Sequence, residues 1–156
     1  VPTDDPFDLN RFVQAQAPCY ARVMAELRAG RKQSHWSWFI LPQMRGLGSS
    51  PMSVHYAIGS LAEARAYLAH PLLGPRLVEC VEAINAHATP GQAETQGKSA
   101  AAILGDIDAQ KFRSCVTLFR AAAANNPPLG VTFDEALGKF FGGRPDEATL
   151  AILSRA

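Results

Sequence analysis

Apolar residues recur at three- and four-residue intervals along most of this chain, and that period predicts helices. Leu9, Phe12 and Val13 follow Asp8, which is placed to cap a first helix. Pro18 either kinks it or opens a second segment, at the first-turn position that tolerates proline. There Tyr20, Val23, Met24 and Leu27 fall on one stripe that stops at Gly30. Arg28, Arg31 and Lys32 gather near that end, where they complement the helix dipole. The period fails over residues 35–59, and Gly46, Gly48, Ser49, Ser50 and Pro51 mark a loop. Ser60 with Glu63 forms a capping box for a helix through Leu61, Ala64 and Leu68, ended by His70-Pro71. Leu72, Leu73, Leu77, Val78, Val81 and Ile84 give the next amphipathic stretch, and Thr89 to Lys98 is polar and loop-like.

Further on, Ser99 caps a brief turn through Ile103 and Leu104, closed by Gly105. Asp108 is expected to cap a longer helix carrying Phe112, Val116, Leu118 and Phe119, ending near Asn125-Asn126-Pro127-Pro128. Thr132 with Glu135 reads as a second capping box before Ala136, Leu137, Phe140 and Phe141. A last helix carries Leu150 and Leu153. Long alternating strands are missing, so the prediction is one all-α domain over residues 1–156. It has seven or eight mostly short helices and an irregular Trp-rich segment, in which an extended piece near Trp38 is allowed.

A chain of 156 residues is long enough to bury a core without metals or disulfides. Its apolar fraction of 47% with 19% charged residues is that of a folded globular domain rather than a disordered one. The net charge of +1 supplies no field to draw in DNA, RNA or an anionic membrane, so any anion site has to be local. No apolar stretch approaches the roughly 20 residues that cross a bilayer. The start, Val-Pro-Thr-Asp-Asp-Pro, lacks a signal-peptide pattern, and a cytoplasmic location is expected. Cys19, Cys80 and Cys115 are odd in number and far apart, which suggests neither a zinc site nor a disulfide framework. Inert thiols are the plain reading, since a nucleophilic Cys115 needs a base beside it. No cofactor is predicted, and no metal site either: His55 and His70 are spaced too irregularly to share an ion with His35, and His87 sits at a helix end.

The run from His35 to Ser50, HWSWFILPQMRGLGSS, carries both tryptophans, a titratable ring, an amide, a guanidinium and a glycine loop. Trp36 and Trp38 share a face if the segment is extended and diverge if it is helical. Each serves a core as readily as a wall that stacks on a base or sugar. His35 is a structural residue or an acid–base group. Arg45 with the loop through Gly48 and Ser49 suits a phosphate, although the pattern is neither a P-loop nor a dinucleotide fingerprint. Gln43 reads a base edge or ties down the loop. Lys111 meets a ligand anion or pairs locally, and Tyr56 donates a hydrogen bond or packs. Glu63 and Asp108 are explained as helix-start residues, yet a carboxylate facing a cleft also activates water.

The stretches AQAPCYARVMAELRAGRK, HWSWFILPQMRGLGSS, YAIGSLAEARAYLAHPLLGPRL and DAQKFRSCVTLF resemble the bacterial domain-of-unknown-function family eighteen-ten, from about Asp5 to about Leu153. That resemblance implies a mainly helical fold. Ser37, Leu41 and Cys115-Val116 depart from the residues usual there, and Cys115 argues against a role for a hydroxyl at its position. The label calpastatin, sometimes attached to the family, fits nothing here. A remoter likeness, at Glu63 and at Asp108…Lys111-Phe112, is to the NADAR group, helical proteins tied to NAD and ADP-ribose metabolism, some of which hydrolyse N-glycosidic bonds. It implies a ligand class.

Two readings stand. In one, a phosphorylated or nucleotide-like metabolite related to NAD or ADP-ribose binds Trp36, Trp38, Gln43, Arg45, Gly48, Ser49, Tyr56 and Lys111, and N-glycosidic hydrolysis, if it occurs, uses Glu63, Asp108 or His35. In the other, the Trp-rich segment is a non-catalytic docking or dimerisation face, anchored by tryptophan and arginine. Monomer and homodimer are both compatible with the chain.

Overall fold

A helix covered on every side belongs at the centre of a domain, and in Asp106–Ala122 every residue from Ser114 to Phe119 is buried. Ala109, Phe112 and Ala122 extend the buried face to its ends, while Asp106, Ile107 and Gln110 in its first turns are exposed. The computed structural model describes residues 5–88 and 98–155. Among the described residues it contains ten helices: α1 (Asn10–Gln16), α2 (Tyr20–Ala29), α3 (Ser37–Ile40), α4 (Pro51–His55), α5 (Leu61–Ala69), α6 (Leu73–Asn85), α7 (Ala100–Leu104), α8 (Asp106–Ala122), α9 (Pro127–Phe141) and α10 (Glu147–Arg155). Helices α5, α7, α9 and α10 pack on α8, while α6 bridges α2, α5 and α9. A line of rings threads the layers: Phe12 lies edge-on to Tyr67 at 5.1 Å, Tyr67 is 5.2 Å from Phe119, and Phe119 is 6.1 Å from Phe133. Rings at these separations add to their burial energy and fix the relative placement of α1, α5, α8 and α9.

The all-α reading holds, and the count rises because two pieces of four and five residues, α3 and α4, are too short to show a period. Several helix ends follow the sequence. Gly30 closes α2 in the left-handed region, at φ 74°. Ser60 Oγ accepts the Glu63 N–H, and Ser99 Oγ accepts the Ala102 N–H. His70 ends α5 and also opens α6, its Nδ1 accepting the N–H groups of Leu72 and Leu73.

Other ends are corrected. Asp8 occupies a tight turn at φ 51°, and the carboxylate that accepts the Leu9 and Asn10 N–H groups is that of Asp5. Asp108 does not cap α8: the helix starts after Gly105, and Asp106 and Asp108 occupy its first turn. They still face the positive end of the dipole. Thr132 and Glu135 are interior to α9, which begins at Pro127, where a proline's missing N–H is harmless. The extended piece near Trp38 is instead the helical turn α3. Extended pairing occurs a few residues later, where Arg45 N donates to Ile58 O at 2.8 Å and Ile58 N to Gln43 O at 2.9 Å. This parallel bridge, Met44 to Ile58, closes the loop that holds α4. The polar stretch 89–97 lies outside the described residues.

Candidate functional site

Glu26 lies on the buried face of α2. It organises the chain that leaves that helix. Its Oε1 accepts from Gln33 N at 2.8 Å, Ser34 N at 3.0 Å and Trp36 Nε1 at 3.0 Å, and its Oε2 accepts from Ser34 Oγ at 2.5 Å. Burial by itself pushes this carboxyl up. The hydrogen bonds from Ser34, Gln33 and Trp36 outweigh it and bring the pKa down to about 2. The turn is thereby fixed, with Trp36 at 1% exposure.

The same turn delivers Lys32 to the start of α8. Lys32 Nζ is 2.8 Å from Asp108 Oδ2, and Lys111 Nζ is 3.8 Å from Asp108 Oδ1. Asp108 and Lys111 are neighbours because three residues separate them on one helix. Each ammonium also sits over an indole, Lys32 at 5.1 Å from Trp36 and Lys111 at 5.2 Å from Trp38. One turn further along α8, Ser114 Oγ donates to Gln43 Oε1 at 2.6 Å. A Cβ at Gly48 would lie 3.6 Å from Gln43 Nε2, so the glycine loop borders that amide. Two cations therefore share one carboxylate beside the half-buried ring of Trp38, with a carboxamide and a glycine turn alongside. The Lys32 side chain is only 7% exposed, while that of Lys111 is 20% exposed, so Lys111 is the cation that faces outward.

A second cluster forms around Arg11 and Glu63. Arg11 Nη2 is 2.7 Å from Glu63 Oε2, with side-chain exposures of 11% and 7%. Glu63 Oε1 accepts from Gly59 N at 3.0 Å. The remaining N–H groups of Arg11 go to the carbonyls of Phe7, Asp8, His55 and Ala57. Arg45 lies against the same corner, its guanidinium 3.2–3.3 Å from where a Cβ on Gly59 would stand.

The residues singled out in the sequence are thus divided. Trp38, Lys111, Asp108, Gln43 and Gly48 come together. Arg45 and Glu63 belong to the Arg11 corner. Trp36 is a core residue whose N–H is committed to Glu26, so it offers no stacking face. Tyr56 packs between Phe12 and Phe39, at 5.8 and 5.4 Å. His35 and Ser49 are exposed. Ser114 stands on the Lys111 side of its helix, and Glu26, Lys32 and Arg11 complete the two clusters without having been named as candidates. A signal existed for Glu26: it falls between Val23 and Leu27 on an apolar stripe, and a buried acid demands partners. The thiols are unsuited to nucleophilic work: burial pushes Cys80 up to about 12 and Cys115 well above its ordinary value. Among the described residues no group of three or more His, Cys, Asp or Glu is placed to hold a metal ion, and no helix is long and apolar enough to cross a membrane.

Fold and clusters together define an all-α protein with a cation–indole cluster at the first turns of its central helix. The chain belongs to the family described as protein of unknown function DUF1810, whose model matches residues 6–153. It is also similar to the crystal structure of the conserved hypothetical protein Rv1873 from Mycobacterium tuberculosis, with 50% identity, coverage of 96% of this chain and 99% of that one, and a TM-score of 0.86. No curated protein matches. The likeness to the NADAR group is not shown by these comparisons.

Proposed function

We propose that this protein binds a phosphorylated, nucleotide-like metabolite, of the NAD or ADP-ribose kind, at the Trp38–Lys111 cluster. The observation that carries this reading is the sharing of Asp108 by Lys32 and Lys111, which leaves one positive charge in excess beside a half-buried indole. A phosphate satisfies that charge, the Trp38 ring offers a planar surface to a base or ribose, and the Gln43 amide lies within the same cluster. Hydrolysis of an N-glycosidic bond is the catalytic extension of this reading, and within it Asp108 is the better candidate to position water. Glu63 has both carboxylate oxygens engaged, by Arg11 and by Gly59 N–H, whereas Asp108 Oδ1 has Lys111 only at 3.8 Å. The docking-face reading is less well supported, because Trp36 is buried and Trp38 is half-covered.

Calorimetric titration with NAD, ADP-ribose and AMP tests the proposal. Saturable heat is expected from at least one of them. Lys111→Gln and Trp38→Leu are each expected to weaken binding about tenfold, the scale of one lost charge-assisted contact or ring contact. Absence of heat and of any thermal shift with all of these ligands would overturn it.

A further inference from the structure

We infer that the Arg11 corner holds a separate oxyanion site, for a single phosphate or carboxylate group, built from Arg45 and His55. The two side chains line a recess of about 380 Å³ together with Asp8, Arg11 and Glu63. Arg11 is not available to a ligand, because its five N–H donors already meet five acceptors: the carbonyls of Phe7, Asp8, His55 and Ala57, and Glu63 Oε2. That same set neutralises Glu63, whose other oxygen takes the Gly59 N–H. Glu63 is therefore satisfied, and Arg45 forms no ion pair with any described residue.

Arg45 is nonetheless held in place. Its backbone N–H is bonded to Ile58 O at 2.8 Å, and its guanidinium lies against Gly59, where a Cβ would stand 3.2–3.3 Å from the guanidinium atoms. His55 is fixed too: its carbonyl accepts from Arg11 Nε at 3.0 Å, and its ring meets that of Tyr56 edge-on at 4.6 Å. The result is a guanidinium fork that springs from a bridged backbone, lies against Gly59 and lines an open recess that an imidazole also lines. A fork of this kind matches an oxyanion in bidentate fashion, which an ammonium does not. Asp8 also lines the recess and forms no ion pair among the described residues, so a bound anion competes with its carboxylate for Arg45. The inference does not depend on the Trp38–Lys111 reading.

The test titrates inorganic phosphate, and separately acetate, into the full chain carrying Lys111→Gln, so that the other cluster is weakened. The signals followed are the Arg45 Nε–H and the His55 ring in nuclear magnetic resonance spectra. Saturable shifts of both with phosphate are expected; a matching response to acetate marks a general oxyanion site, and its absence marks a phosphate site. Arg45→Gln is expected to abolish the His55 response, and Arg45→Lys to weaken it about tenfold, since the charge stays and the fork is lost. Gly59→Ala keeps every charge but lifts the guanidinium away from residue 59, and about tenfold weaker binding is expected again. A linear, unsaturable drift, or a His55 response unchanged in Arg45→Gln, would overturn the site. The Arg45 variants alter an exposed side chain, so they decide the matter even if Gly59→Ala perturbs the fold.

Discussion

A carboxylate removed from water must find other donors, and Glu26 finds four contacts in the turn after its own helix. Their effect on stability is readable through protonation. Burial raises this carboxyl and the hydrogen bonds lower it further than burial raises it, so the folded value, about 2, lies below the ordinary 4.5. That difference ties about 3 kcal/mol of folding stability to the charge. The sign follows from the depressed value. The contribution is fully present above about 4.5 and is lost as pH falls from there through about 2. Glu26→Gln keeps the shape and gives up the charge, so it should melt well below the parent near neutral pH. The gap should close on acidification across that window. Melting curves separated by the same interval at every pH would contradict the assignment. Little of this was legible in the sequence. The period along Val23, Glu26 and Leu27 puts an acid on the core stripe, but its donors come from an aperiodic turn whose path no spacing reveals.

Helix ends were legible where a single local bond defines them, as at Gly30, Ser60 and Ser99, and illegible where a neighbouring helix decides. Thr132 and Glu135 have the spacing of a capping box, yet Pro127 already starts α9 and the Thr132 carbonyl serves Asn85 Nδ2 at 3.2 Å. Gly105 displaces Asp108 in the same way, because α7 and α8 meet there with only one residue between them. The joint between α5 and α6 turns this point into a prediction. A Cβ at Gly74 would stand 2.1 Å from Leu68 O, a backbone atom that cannot swing aside. Helix propensity favours Gly→Ala by about 1 kcal/mol, but the overlap forces α6 away from the end of α5, and forced repacking costs about 3 kcal/mol. Gly74→Ala should therefore be strongly destabilising. Gly138, inside α9 with nothing within 4 Å of its would-be Cβ, should respond with the opposite sign. There alanine gains about 0.5–1 kcal/mol through propensity and a less mobile unfolded chain. Denaturant midpoints at unchanged slope measure both, and a stabilised Gly74→Ala would refute the close contact.

The all-α class could be read from the chain because periodicity is local, and so could the grouping of Trp38, Gln43 and Lys111, since two short segments carry them. What the chain concealed is which distant pieces are fastened together. The N-terminal segment, the Arg11 helix, the 55–59 turn and α5 are held at one corner by Arg11 and Glu63, residues separated by 52 positions. Glu63 reads in sequence as a capping residue or a water-activating base. The structure keeps the Ser60 half of that cap, turns the Glu63 carboxylate to Gly59 N instead of Ser60 N, and adds a buried ion pair. Such a pair contributes little net stability relative to an apolar replacement, but removing one partner strands the other charge and costs about 3–5 kcal/mol. Glu63→Gln and Arg11→Met should each destabilise the protein strongly, while the double variant should lose much less than the sum. A coupling above about 1 kcal/mol in that double-mutant cycle is expected. Strictly additive losses would mean that the two charges are solvated independently. The cycle also separates the two clusters. In the folded fraction of Glu63→Gln, affinity at Trp38–Lys111 should match the parent, because nothing at Asp108 touches Glu63 or Arg11.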